Sequence, residues 1–188
     1  KTDQAGLVLM IYGVIFFILS PFIGRLADKI HPAYLILTGT IILTINMLFF
    51  AFTVHFPGLW PVIVFMVLFG FGFSFFMSPS ISLALNNVPE KFHGSASSLL
   101  RMFMNLGLVF GVAIFQTFFS LGFPKNEGLA QLEGVLNSEH ISFFYRGFEI
   151  SYLFAGLVGI LITILTFIMI LNINKLNTGK CDVKEYIL

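Results

Sequence analysis

Arg101 and Asn105 stand inside an otherwise apolar run, Leu99-Leu100-Arg101-Met102-Phe103-Met104-Asn105-Leu106. In hydrocarbon a charged or amide side chain is costly, so such residues mark either a pathway or a structural polar contact. On a helix turning about 100° per residue, Arg101, Asn105, Val112 and Gln116 share one narrow face. Gly107 and Gly111 fall on another face, with the small-xxx-small spacing that lets helix backbones approach. One face is therefore suited to close packing and another to polar contact. Asn105 and Gln116 either border a central cavity or form an interhelical hydrogen-bond stripe. Arg101 lies about one turn from the polar end, where it can snorkel.

A second set of candidates is Gly70, Gly72, Ser74, Ser78 and Pro79. Glycines with an internal proline suggest a helix that bends, and bent helices line sites within bilayers. The alternative is close packing around a fixed kink. Met77, Met102 and Met104 offer either a soft lining for bulky apolar ligands or ordinary packing. Arg146 and Glu149, three residues apart, are expected to pair on one helix face. Asp28 reads, on residues alone, as a solvated loop acid paired locally with Arg25 or Lys29. His31, His55, His93 and His140 sit in separate loops with no metal-ligand spacing. Cys181 has no second cysteine to pair with. No intramembrane His-Asp, Ser-Lys or paired-acid constellation supports an enzyme.

The elements that must position these residues are membrane spans. The chain is 57% hydrophobic and 10% charged, whereas a soluble domain carries about 25% charged residues. Twenty-five phenylalanines suit a lipid solvent, and a formal charge of +1 gives no basic arm for nucleic acid. Segments of about 20 apolar residues cross a bilayer core. Five are expected, at 5–23, 33–53, 61–86, 96–121 and 147–171. The fold class is thus an all-α membrane protein. Pro21 is expected to kink or end the first span, and 24–32 to form a tight charged loop, with Pro32 opening the second helix. Ser95 or Ser97 is expected to cap the fourth. Residues 122–146 form a long loop with a weakly helical stretch near 129–136, and 173–188 a polar, frayed tail. The lysine and arginine bias places Arg25, Lys29, Lys91, Arg101 and the tail in the cytoplasm, with loop 122–146 outside. Lys1 is followed at once by a span, so a longer parent protein is expected.

At this point the residues resemble a family. Gly24-Arg25-Leu26-Ala27-Asp28-Lys29 is similar to the short cytoplasmic motif of major facilitator superfamily transporters. Gly70-x-Gly72, Pro79, Pro89, Gly94-x-Ala96-Ser97, Arg101, Gly107 and Gly111-x-Ala113 follow in an order that resembles the C-terminal half of the fourteen-helix drug:proton antiporter branch. Ile30-His31-Pro32 stands where the motif usually continues with basic residues. The resemblance implies most of a C-terminal helical bundle, with the N-terminal bundle of the same protein as missing partner. It implies alternating access, a proton gradient rather than a cofactor as energy source, and efflux of a small amphipathic substrate across the cell membrane. Gly24, Arg25, Asp28, Lys29 and Arg101 would belong to a cytoplasmic gate. Asn105, Gln116, Ser74, Met77 and Ser78 would border the substrate pathway. The rival expectations are a stand-alone five-span partner or scaffold, or a half-transporter from a split gene.

Overall fold

A computed structural model describes residues 2–27, 29–56, 58–86, 88–122 and 138–185. Their elements are α1 (Thr2–Ala27), α2 (Pro32–Thr53), α3 (Trp60–Asn86), α4 (His93–Ser120) and α5 (Ser138–Glu185), with a 3₁₀ turn at Glu90–Phe92 before α4. Each helix contains a segment long and apolar enough to cross a membrane. The chain is an all-α integral membrane protein. The helices neighbour one another in the order α1, α3, α2, α5, α4, and α3 touches α4 only slightly.

Small residues dictate that order. A Cβ on Gly39 of α2 would lie 2.6 Å from the Phe76 nitrogen and 2.8 Å from the Phe75 carbonyl carbon of α3. Backbone therefore meets backbone, which only glycine allows at this distance. Gly70 of α3 similarly admits Ile15 of α1, and Gly159 of α5 admits Thr44 of α2. Between these contacts run aromatic pairs, Tyr12 with Phe69 and Phe16 with Phe73 on the α1–α3 side. Tyr152 of α5 ties the other side together by touching Phe50, Phe65 and Phe115. The buried core lies along α2, where Leu35, Thr40, Thr44, Asn46, Phe50 and Ala51 are all enclosed.

Several boundaries differ from expectation. Pro21 does not end α1, which continues to Ala27. Gly24 and Arg25 are therefore helical, and the turn begins afterwards, where Lys29 and Ile30 donate to the Leu26 carbonyl. Pro32 does open α2, with His31 Nδ1 accepting from the Ala33 N–H at 3.3 Å. Ser95 and Ser97 do not cap α4. They lie inside it and donate back to the Phe92 and His93 carbonyls, an alternative open to any helical serine. α5 outruns its expected span at both ends and continues to Glu185. Hydropathy marks the length matched to lipid, not the point where helical hydrogen bonding stops. Residues 123–137, which include most of the expected outer loop and its helical stretch, lie outside the described residues.

Candidate functional site

α4 holds the expected polar stripe and leaves it uncovered. Arg101, Asn105 and Gln116 are all exposed, and Phe119 is the only buried residue described on the helix. α4 rests on α5 through its last turns, where Phe118 stacks on Phe154 with centroids 3.8 Å apart. The rest stands clear. Arg101 and Asn105, with Ser98, Met102, Leu106 and Val109, line an open groove of about 530 Å³. Neither has a hydrogen bond or ion pair among the described residues. Asn105 lies twelve residues beyond His93, roughly 18 Å along the axis. Its short amide cannot reach an interface from there. Gly107 and Gly111 were expected to pack helix on helix, but nothing lies within 4 Å of a Cβ built on either. Among the described residues both face open space.

A deeper cleft, about 450 Å³, opens between α2, α4 and α5, with Phe76 of α3 beside it. The polar side chains among its lining residues are those of Thr40, Thr44 and Ser151. Thr44 Oγ1 donates to the Thr40 carbonyl at 2.7 Å and Ser151 Oγ to the Gly147 carbonyl at 2.8 Å. Their protons are thus held by the backbone, and the chamber beside them is largely apolar. Sequence reading missed them. Their only mark in the sequence is a four-residue spacing, which does not stand out because threonine is common in these spans.

The remaining candidates are scattered. Ser74 is fully buried and donates to the Gly70 carbonyl at 2.7 Å, so it lines neither opening. Ser78 faces α1, where a Cβ on Gly24 would lie 3.7 Å from its Oγ. Met77 is half-buried, and it lines neither the groove nor the cleft. Gly70 and Gly72 serve close packing, and Pro79 is buried within a helix that runs unbroken through it. Arg25 and Lys29 are exposed at the α1–α2 turn, while Asp28 lies outside the described residues. Glu149 does not pair with Arg146. Its carboxylate instead lies 3.6 Å from His55 Nε2 at the end of α2. Packing α5 against α2 turns Glu149 toward that neighbour, whereas Arg146 is exposed.

The family model for the Major Facilitator Superfamily matches residues 2–180. The riboflavin transporter RibZ of Clostridioides difficile is 34% identical over 66% of this chain and 27% of its own length. The lincomycin resistance protein LmrB of Listeria innocua is 27% identical over 82% of this chain and 32% of its own length. LmrB of Bacillus subtilis is 27% identical over 58% of this chain and 23% of its own length. The chain thus spans roughly a quarter to a third of the curated relatives it matches. No solved structure gives a significant match.

Proposed function

The chain belongs to the Major Facilitator Superfamily, and from that premise we propose that it forms most of the C-terminal bundle of a proton-coupled exporter. The exporter would carry small amphipathic molecules across the cell membrane by alternating access. One observation carries the reading. Asn105 is exposed deep within α4 and has no partner among the described residues. Lipid can cover the apolar flanks of α4, but it offers an amide no hydrogen bond. A second helical bundle over this face supplies one, and the solute pathway runs between the two bundles along Asn105 and Gln116.

The described membrane-length segments hold carboxylates only near their ends, at Glu90 and Glu149. The proton carrier is therefore assigned to the other bundle. The basic residues at the α1–α2 and α3–α4 turns support a cytoplasmic location for that end. Asp28 and Arg101 are assigned to contacts that close this end in one state. A contact that exists in only one state shifts the equilibrium between states.

The test uses the full-length protein in everted membrane vesicles with an acidic lumen, and lincomycin and riboflavin as probes. We expect one of them to accumulate and a protonophore to abolish the accumulation. No accumulation of either, or accumulation indifferent to the protonophore, overturns the reading. In the same vesicles Asp28→Asn should slow transport while the protein still folds, and a wild-type rate would remove Asp28 from the gate.

A further inference from the structure

α4 carries its positive charge deep. The apolar segment it belongs to runs Glu90–Ser120, 31 residues, with Asn105 at its middle. Arg101 comes one turn earlier, about 6 Å along the axis. The sequence places Arg101 near the polar end, whereas the helix begins at His93, after a 3₁₀ turn that starts at Glu90. Arg101 therefore lies about 12 Å beyond the first residue of α4. A charged residue at such depth is a functional candidate whose counter-charge has to be named.

Arg101 and Asn105 share the open groove of about 530 Å³ with Ser98, Met102, Leu106 and Val109. All of these belong to α4, so the helix supplies one wall. That wall offers donors in excess. A guanidinium has five N–H donors and no acceptor, and an amide adds two donors and one acceptor. Ser98 gives its own proton to the Gly94 carbonyl at 2.9 Å. Met102, Leu106 and Val109 are apolar. No acid counters the guanidinium among the described residues, whose membrane-length segments hold carboxylates only at Glu90 and Glu149. Glu90 is eleven residues from Arg101 along the chain, roughly 16 Å, and Glu149 lies against His55.

We propose that this face selects an amphipathic organic anion, its oxyanion group held by Arg101 and Asn105 and its apolar body along Met102, Leu106 and Val109. The inference rests on the exporter reading, which sets a second bundle opposite α4 with the solute between them, and it adds the charge class of that solute. A planar guanidinium matches an oxyanion with two parallel N–H···O bonds, and such charge-assisted bonds are about twice as strong as neutral ones. Exclusion of water strengthens the pairing further. The contact that closes the cytoplasmic end uses the same guanidinium. Closing this end takes Arg101 from the anion, which lowers the anion's affinity as the site turns outward. A solute bound more tightly in one state than in the other is what export needs.

The probe is naphthalene-2-sulfonate, compared with methyl 2-naphthyl sulfone, its uncharged near-isostere. Binding is measured by calorimetry on the full-length protein in neutral maltoside micelles. The anion should bind at least about tenfold more tightly than the sulfone. Arg101→Gln should erase that preference yet keep sulfone affinity, which shows the wall intact. Arg101→Lys keeps the charge and should keep a preference for the anion. If Arg101→Gln binds neither ligand, Arg101→Lys decides: a retained preference supports the site, and equal affinities overturn it. Equal affinities in the wild type, no saturable binding of the anion, or a preference that survives Arg101→Gln also overturns the proposal. Loss of anion binding on adding phosphatidylglycerol would assign the guanidinium to a lipid headgroup and equally overturn it. Anion preference without protonophore-sensitive accumulation in vesicles overturns the exporter reading alone. Accumulation of lincomycin or riboflavin without anion preference overturns this inference alone.

Discussion

α2 and α4 are built from similar sequence, yet they meet opposite fates. Each is a long apolar helix with one asparagine well inside it, and with glycine at Gly39 in α2 and at Gly94, Gly107 and Gly111 in α4. In α2, Asn46 is fully buried and its Nδ2 donates to the Phe65 carbonyl of α3 at 3.1 Å. In α4, Asn105 is exposed and unpaired among the described residues. Gly39 presses against the α3 backbone, whereas Gly107 and Gly111 face open space. Similar residue types are thus packed against neighbours in α2 and left open in α4 among the described residues. The difference separates a helix covered on its small-residue face by the described residues from one whose face they leave open.

The glycines give the sharpest way to break that contrast. Gly39→Ala drives a Cβ into backbone atoms of Phe75 and Phe76 that have no flexible end to move aside. Overpacking of this kind costs about 1–3 kcal/mol, and contact with unyielding backbone puts this site at the upper end. Unfolding of the purified chain in mixed micelles should show it. Gly107→Ala and Gly111→Ala should shift the same curve by less than about 0.5 kcal/mol. A comparable loss from either would mean that α4 has partners inside this chain.

The two asparagines give a smaller contrast. Asn46→Ala removes an interhelical hydrogen bond, and such bonds in membranes contribute roughly 0.6–1.7 kcal/mol. Part of the loss is offset, because Asn46 Oδ1 is buried without a partner and its desolvation is relieved. A net destabilisation of about 1 kcal/mol is expected. Asn105→Ala should leave the stability of this chain unchanged and lower transport by the full-length protein. Unchanged transport would remove Asn105 from the pathway.

Hydropathy made the five spans and their order legible, because the solvent is lipid and span length is set by its thickness. Helix ends were less legible. Pro21 reads as a breaker, yet α1 runs through it, and α5 continues where hydropathy falls. The α4 stripe could be read because polar residues in an apolar helix stand out against their background. The Thr40 and Thr44 hydroxyls and the aromatic cluster around Tyr152 could not. Thr and Phe are common throughout these spans, and only the packing of α5 on α2 and α3 brings them together. The expected Arg146–Glu149 pair failed for the same reason. Spacing along one helix cannot weigh a partner supplied by another, here His55.

The smallest effect tests whether shape rather than polar glue specifies the α2 contacts. Thr44 Oγ1 and Thr163 Oγ1 lie 3.2 Å apart across α2 and α5. Each hydroxyl has one proton. Thr44 gives its proton to the Thr40 carbonyl at 2.7 Å, and Thr163 gives its own to the Gly159 carbonyl at 2.8 Å. The cross-helix contact must then share a proton already held by a shorter bond. A double-mutant cycle of Thr44→Val and Thr163→Val should return a coupling below about 0.6 kcal/mol, the average for such pairs in membranes. The glycines beside them should dominate instead, since a Cβ on Gly159 would lie 2.7 Å from Thr44 Oγ1. A coupling above about 1 kcal/mol would show that polar contacts hold α5 to α2.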